Sequence, residues 1–230
     1  VGRFSVAAHP GEQVADVVVK DGLAYVAYWD DGLVILDVGN GIKEGTPQRP
    51  KLVSQFRYRT EWRGERYGHT HYAVPYTNAA GRRYVFVGDE MVPEQPDFDK
   101  PVATGGYLHV LDVTNVEAPV EVATYDVPGH GVHNFAIRSD TLWMAAYGGG
   151  LRAVDVSGDL RGSLRNREIA AMLTTDSMAA VQNATTAWAA VPHKDHVYVS
   201  DFNSGLWVVR LRPGAPQPVP AAAPAATSPD

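Results

Sequence analysis

No cysteine occurs among the 230 residues, which excludes disulfides and thiolate metal sites and leaves the redox compartment unmarked. Any bound metal must be held by His, Asp, Glu or backbone oxygen. No apolar run approaches the roughly 20 residues that span a bilayer, so no transmembrane segment is expected. Basic residues are outnumbered, 20 against 26 acidic, for a net charge of −6. They form no patch dense enough to track a phosphate backbone, and nucleic acid is not expected as a partner. Helical periodicity is nearly absent. The chain opens on Val1 and not on Met, and an upstream segment, cleaved or left out, is expected.

What is present is one strand written four times: LVILDV at Leu33, LHVLDV at Leu108, LRAVDV at Leu151 and LWVVRL at Leu206. Before the first stands DVVVKDGLAYVAYWDDG, two alternating β-branched and aromatic runs separated by a Lys-Asp-Gly turn and closed by Asp30-Asp31-Gly32. Tight Gly-containing turns between alternating runs are hairpin signals. The unit is therefore three strands, A, B and C. It returns in HTHYAVPYTNAAGRRYVFVGDE with GGYLHVLDV, in VHNFAIRSDTLWMAAYGGGLRAVDV, and in AWAAVPHKDHVYVSDFNSGLWVVRL. The spacing between copies is irregular while the internal order is kept, as loops of varying length on a constant scaffold would give.

A fourth strand, D, follows a Pro-containing link in PKLVSQFRYR and APVEVATYDV; REIAAMLT reads as a third D strand or as a helical turn. Four antiparallel strands repeated in sequence describe the blades of a β-propeller. The predicted fold is all-β, with about four blades over residues 1–212. The Pro/Ala-rich segment 213–230 is too poor in large apolar residues to pack and is expected to be disordered. At the start, VGRFSVA reads as a D strand without A, B and C before it, while LWVVRL has no D strand after it. Either four blades close on themselves, or the chain is the C-terminal part of a larger ring, which is the expectation preferred.

The stretches AYVAYWDDGLVILDV, VHNFAI to GGGLRAVDVSGDLRG, and VYVSDFNSGLWVVRL resemble the LVIVD-repeat β-propeller family. That resemblance implies a propeller and an exported protein: extracellular, periplasmic or associated with the cell surface. It implies no set reaction. Arg210 stands where the other copies carry Asp, and the second copy has the insertion MVPEQPDFDKPVATGG.

The repeated Asp37, Asp112 and Asp155 end the C strands, where a carboxylate accepts N–H groups of the following turn. Gly32, Gly150 and Gly205 fit B–C turns that need positive φ. Neither set is expected to be catalytic.

The histidines do not follow the repeat. GHTH (His69, His71) and GHGVH (His130, His133) each enter an A strand, and strand A is innermost in a propeller. Aligning the copies places Asp30 and Asp31 beside Asp89 and Glu90, with Tyr147 and Gly148 in the third copy and Asp201 and Asn203 in the fourth. The A-strand position of His71 and His133 is Ala15 beside Asp16 in the first copy and Trp188 in the last. One face therefore collects Asp16, Asp30, Asp89, His130, Tyr147 and Trp188 around the channel mouth as a ligand face. Two readings of the histidines stand side by side. In one, His71 and His133 satisfy backbone groups at a crowded axis. In the other, His69, His71 and His133 hold a divalent metal with Glu90 or Asp89, His-x-His on a strand placing both imidazoles on one face.

His193 and His196 flank the fourth A–B turn at the opposite edge, and His109 reads as a solvent-facing strand residue. The glycine run after Tyr147 leads into a strand, which rules it out as a phosphate loop. The acidic insertion from Met91 to Gly106 lies on the histidine face as a lid or partner arm. The expected function is a binding scaffold for a protein, glycan or small-molecule ligand, with a metal-dependent oxidoreductase or hydrolase as the alternative.

Overall fold

A computed structural model describes residues 2–6, 13–60, 68–93, 95–97 and 99–212. The segment 213–230, expected to be disordered, lies outside the described residues. Four sheets follow one another along the chain. The first is β1(Asp16–Lys20), β2(Leu23–Ala27), β3(Leu33–Asp37) and β4(Lys51–Phe56), and the second is β5(Thr70–Thr77), β6(Arg83–Asp89), β7(Leu108–Asp112) and β8(Val120–Tyr125). The third comprises β9(Phe135–Arg138), β10(Thr141–Ala145), β11(Leu151–Asp155) and β13(Glu168–Met172), and the fourth β14(Ala187–His193), β15(His196–Asp201) and β16(Gly205–Val209). A short β12(Gly162–Ser163) reaches back and pairs in parallel with β8 at the outer edge of the second sheet. Among the described residues the only helical element is a 3₁₀ turn at Arg165–Arg167.

The A, B, C and D strands of the first three sheets, and the A, B and C strands described in the fourth, lie side by side and antiparallel in that order, the architecture of propeller blades. REIAAMLT resolves as a strand: Ala170 and Ala171 pair with Ala153 and Arg152. Inner strands of the second and third blades are apolar on both sides because each of these blades has a neighbour on either face. In β6, Tyr84 and Phe86 join the cluster shared with the third sheet, while Val85 and Val87 join the cluster shared with the first. All four are buried. Leu33 and Ile35 of β3 face the second blade, while Val34 and Leu36 face the other way, covered by Phe4 and Val6. A fourth cluster, with Ala145, Leu151, Val197 and Val199, joins the third and fourth sheets.

The repeated residues hold turns. Asp37 accepts the backbone N–H of Gly39, Asn40, Gly41, Lys43 and Gly45. These bonds hold its carboxyl well below the usual carboxylate range against the opposing effect of burial. Gly32, Gly150 and Gly205 have φ of 81°, 76° and 88°, the left-handed region where a Cβ is penalised.

Register breaks recur at fixed places. On the C–D side they fall at Ile35/Leu36, Val110/Leu111 and Ala153/Val154. On the A–B side they fall at Thr70/Tyr72 and Ala187/Ala189, so the bulged residues are His71 and Trp188. Bulges re-aim a side chain and favour functional edges. His109 departs from its solvent-facing expectation: it is buried, because a C strand of an interior blade has no solvent face. It occupies the strand position of Arg152, and both face a D-strand carboxylate, Glu121 and Glu168 respectively.

Candidate functional site at the axial mouth

The starts of the A strands and the B–C turns meet at one edge of the blades. The bulge at His71 turns its ring toward the third blade, where it meets His133, which precedes β9; the ring centroids are 4.3 Å apart. Glu90, the residue after β6, comes between them. Its Oε2 lies 2.9 Å from His71 Nδ1 and its Oε1 3.5 Å from His133 Nε2. The Tyr147 hydroxyl donates to Oε1. One ligand atom from each of His71, Glu90 and His133 lies within 4.8 Å of the others.

The second nitrogen of each imidazole is anchored. His133 Nδ1 donates to the carbonyl of Trp188 at 2.7 Å, which leaves the lone pair on Nε2 facing Glu90. His71 Nε2 stands 3.2 Å from Asn134 Oδ1. An imidazole with one nitrogen fixed on an oxygen acceptor and the other turned to a common centre is the orientation that metal-binding histidines take, and ligating carboxylates are likewise held by hydrogen bonds.

The electrostatics of the three residues are unequal. Burial works against the charged forms of His71 and Glu90, but each outweighs it for the other, so the His71 pKa is raised and that of Glu90 lowered. His133 is held down to about 4 by burial and then by the neighbouring His71 charge. It is therefore a neutral donor at physiological pH. Asp16 adds to the field that raises His71.

Two aromatic residues are delivered by strained turns. Trp29 and Tyr147 occupy the same place in the B–C turns of the first and third blades, both with positive φ, 34° and 47°. Each forms an isolated bridge to the entry of the next blade, Trp29 to Thr70 and Tyr147 to Ala187. A bulky residue held there signals a conformation fixed by its surroundings. Tyr147 reaches Glu90, and Trp188 packs on His133 with 3.9 Å between centroids and the rings tilted by 33°.

The remaining expected site residues are placed separately. His69 is not in the cluster: its Nε2 is 3.5 Å from Asp30 Oδ1 and its ring stacks on Trp29. Alternation does not carry it to the side of His71, because the bulge interrupts the strand between them. Asp89 turns away from the mouth and is fully buried, its Oδ2 3.9 Å from His109 Nε2. His130 lies over Gly148, at 2.8 Å from where a Cβ there would stand, beside a 160 Å³ cleft with Thr104 and Asp126. The insertion is closed at its base by Met91 and Gly105, which exchange backbone hydrogen bonds of 3.1 and 2.8 Å. The residues that sequence reasoning left out are Asn134 and Trp29; Asn134 follows His133 directly, and nothing in its pattern marks it.

A family model described as the LVIVD repeat matches residues 11–43 and 102–127, which contain the first and second C strands. No curated protein matches the chain. Among solved structures, the computationally designed Ika4 protein superposes with a TM-score of 0.53 at 11% identity, covering 92% of this chain and all of that one. The AfRom2 CNH domain gives 0.45 at 12% identity, covering 88% of this chain and 60% of that one. At these identities the likeness to Ika4 concerns the fold alone. Among the described residues no helix is long and apolar enough to cross a membrane.

Proposed function

Taking the chain as an LVIVD-repeat β-propeller, we propose that it is a binding scaffold whose working surface is the axial mouth, where His71, Glu90 and His133 hold a divalent transition-metal ion. The observation that carries this reading is the convergence of one donor from each residue within 4.8 Å. Ligands about 2.1 Å from one ion stand roughly 3.4 Å apart in a tetrahedron, so side-chain movements of about an ångström complete the set. Two imidazoles and a carboxylate suit zinc and its neighbours, and three protein ligands leave a position open to a donor atom of a protein, glycan or small-molecule partner. The compartment proposed, outside the cytoplasm, follows from the family resemblance.

That open position also supports the second reading, a metal-dependent enzyme, because catalytic zinc sites keep such a position for water or substrate. Elemental analysis after equilibration with Zn²⁺ and dialysis tests the shared premise. About one ion per chain is expected in the native protein and none in His71→Ala combined with His133→Ala. A native protein without metal above background refutes both readings. Retained metal with no hydrolysis of ester or lactone panels and no oxidation of reducing substrates leaves the scaffold.

A further inference from the structure

Two features singled out in the sequence have no part in the metal cluster: His130 of GHGVH and the insertion from Met91 to Gly106. They meet beside it, where His130 covers Gly148, the residue after Tyr147. Gly131 lies so close to the base of the insertion that a Cβ there would stand 2.3 Å from the Gly105 carbonyl oxygen. Its N–H donates to Thr104 Oγ1 at 2.8 Å. Gly106, with φ of 106°, is pressed in the same way against the carbonyl of Asp89. Between these segments remains the 160 Å³ cleft, reached also by Thr60 from the link after β4 and by Tyr107 and Asp126. It has room for about five waters at their liquid volume.

The cleft carries hydrogen-bonding capacity that the protein does not use. Thr60 is 2% exposed, yet its hydroxyl has no partner among the described residues. Native proteins rarely leave a buried hydroxyl alone, and one in the wall of a cleft is available to whatever fills it. Thr104 spends its oxygen on Gly131 and keeps a hydroxyl proton to donate. Among the described residues no hydrogen bond holds the His130 ring. The charges cancel: Asp126 is clasped by two nitrogens of Arg165, Nε at 2.8 Å. Burial, and then the charge of Arg152, hold the His130 pKa below 6.5, so its ring is neutral. A phosphate or sulfate therefore meets no unpaired cation among the lining residues, and an ammonium group no unpaired carboxylate. What remains is a set of groups that exchange hydrogen bonds without net charge, beside Tyr107, which is 41% exposed. A sugar ring has the matching complement: hydroxyls that donate and accept, and a C–H face that packs on the negative face of an aromatic ring.

We propose that this cleft is a glycan subsite that takes one uncharged sugar residue, with Thr60 and Thr104 bonding its hydroxyls and Tyr107 packing on its ring. The inference rests on the reading of the mouth face as a binding surface and uses none of the residues of the metal cluster.

The probes are the methyl glycosides of glucose, galactose, mannose and N-acetylglucosamine, with those of glucuronic acid and glucosamine as charged comparators, titrated into isotope-labelled protein and followed by NMR. At least one uncharged glycoside is expected to shift the amide resonances of Gly105, Gly106 and Gly129 saturably, and to bind equally after EDTA treatment. Thr60→Val replaces an unpartnered hydroxyl with a methyl group of the same shape. It should leave Tm unchanged or slightly raised while weakening binding about fivefold, the worth of one neutral hydrogen bond. Tyr107→Ala should weaken it as well. The proposal is overturned by the absence of a saturable shift with every uncharged glycoside, by binding that Thr60→Val leaves intact, by tighter binding of a charged comparator, or by binding that EDTA abolishes. Metal content is read separately, so either assignment can fail alone.

Discussion

Glu90→Gln separates a metal ligand from a structural hydrogen-bond acceptor, because glutamine fits the metal-free network with little rearrangement. Glu90 accepts from Tyr147 at Oε1 and faces His71 Nδ1 at 2.9 Å from Oε2. A glutamine oxygen can keep the Tyr147 bond while its NH₂ group donates to His71 Nδ1. His71 then carries its proton on Nε2, where Asn134 Oδ1 is 3.2 Å away to accept it. Every polar group retains a partner, so the cost is the lost ion pair, about 1 kcal/mol; in a chain of this size that lowers Tm by about 2–4 °C. A bound metal acts on a different scale. Zn²⁺ at 100 times its Kd stabilises the folded state by about 2.7 kcal/mol, or roughly 5–11 °C in Tm by the same conversion. Thermal melts followed by tryptophan fluorescence, with and without Zn²⁺ at pH 7.5, should show this shift in the native protein. In Glu90→Gln the metal-free Tm should fall only by about 2–4 °C and the shift should be lost, since a neutral amide is a poor replacement for the anionic ligand. An equal Zn²⁺ shift in both proteins, or none in the native one, refutes the assignment.

Other expectations follow from the scaffold. His109 lies between Asp89 and Glu121, with Tyr58 stacked on it at 3.9 Å and Tyr107 at its edge. Burial disfavours its charge, yet the two carboxylates outweigh burial and raise its pKa above 6.5. The folded state therefore binds this proton more tightly than the unfolded one, and the stabilisation is complete below pH 6.5 and lost as pH rises through the folded value. Urea midpoints should fall over that window in the native protein and change less in His109→Phe. Asp37→Ala removes the acceptor for five backbone N–H groups, whereas Asp112 and Asp155 each accept one, from Thr114 and Ser157. Its Tm should fall further than that of Asp112→Ala or Asp155→Ala, and an equal loss would show the 39–45 loop to be energetically idle. Phe86→Ala, at a fully buried position between the second and third blades, should cost about 3–5 kcal/mol by chemical denaturation.

The blades were legible because a strand covered on both faces writes its environment in consecutive residues. LVIL and YVFV are unbroken apolar runs, and each run separates in space into two alternating sets that serve different clusters. The same logic shows why His109 was misplaced. Alternation distinguishes the two sides of a strand, but in an interior blade neither side is solvent, and a polar residue there signals a buried partner. Glu121 is that partner, twelve residues on and in register only after the C–D bulge at Val110/Leu111. The pairing of β12 with β8 left no trace in sequence, because Gly162 and Ser163 are drawn there by a loop crossing between blades.

The site was half legible for a related reason. The repeat identifies which positions differ from their counterparts, and the positions that differ, His71, His133 and Glu90, do converge. What the repeat does not encode is the local break in register that aims them. A regular strand would have placed His69 and His71 on one face; with one extra residue at Thr70/Tyr72, His69 goes to Asp30 and Trp29 while His71 goes to the axis. The same break at Ala187/Ala189 frees Trp188 to pack on His133 and to offer it a carbonyl. Tyr147 reaches Glu90 through a positive φ that is unusual for an aromatic residue. Departures from ideal backbone, the bulges at His71 and Trp188 and the positive φ of Trp29 and Tyr147, thus aim the residues of the mouth. A mouth assembled by bulges and strained turns can change its chemistry one residue at a time, while the strands that carry it keep their pattern.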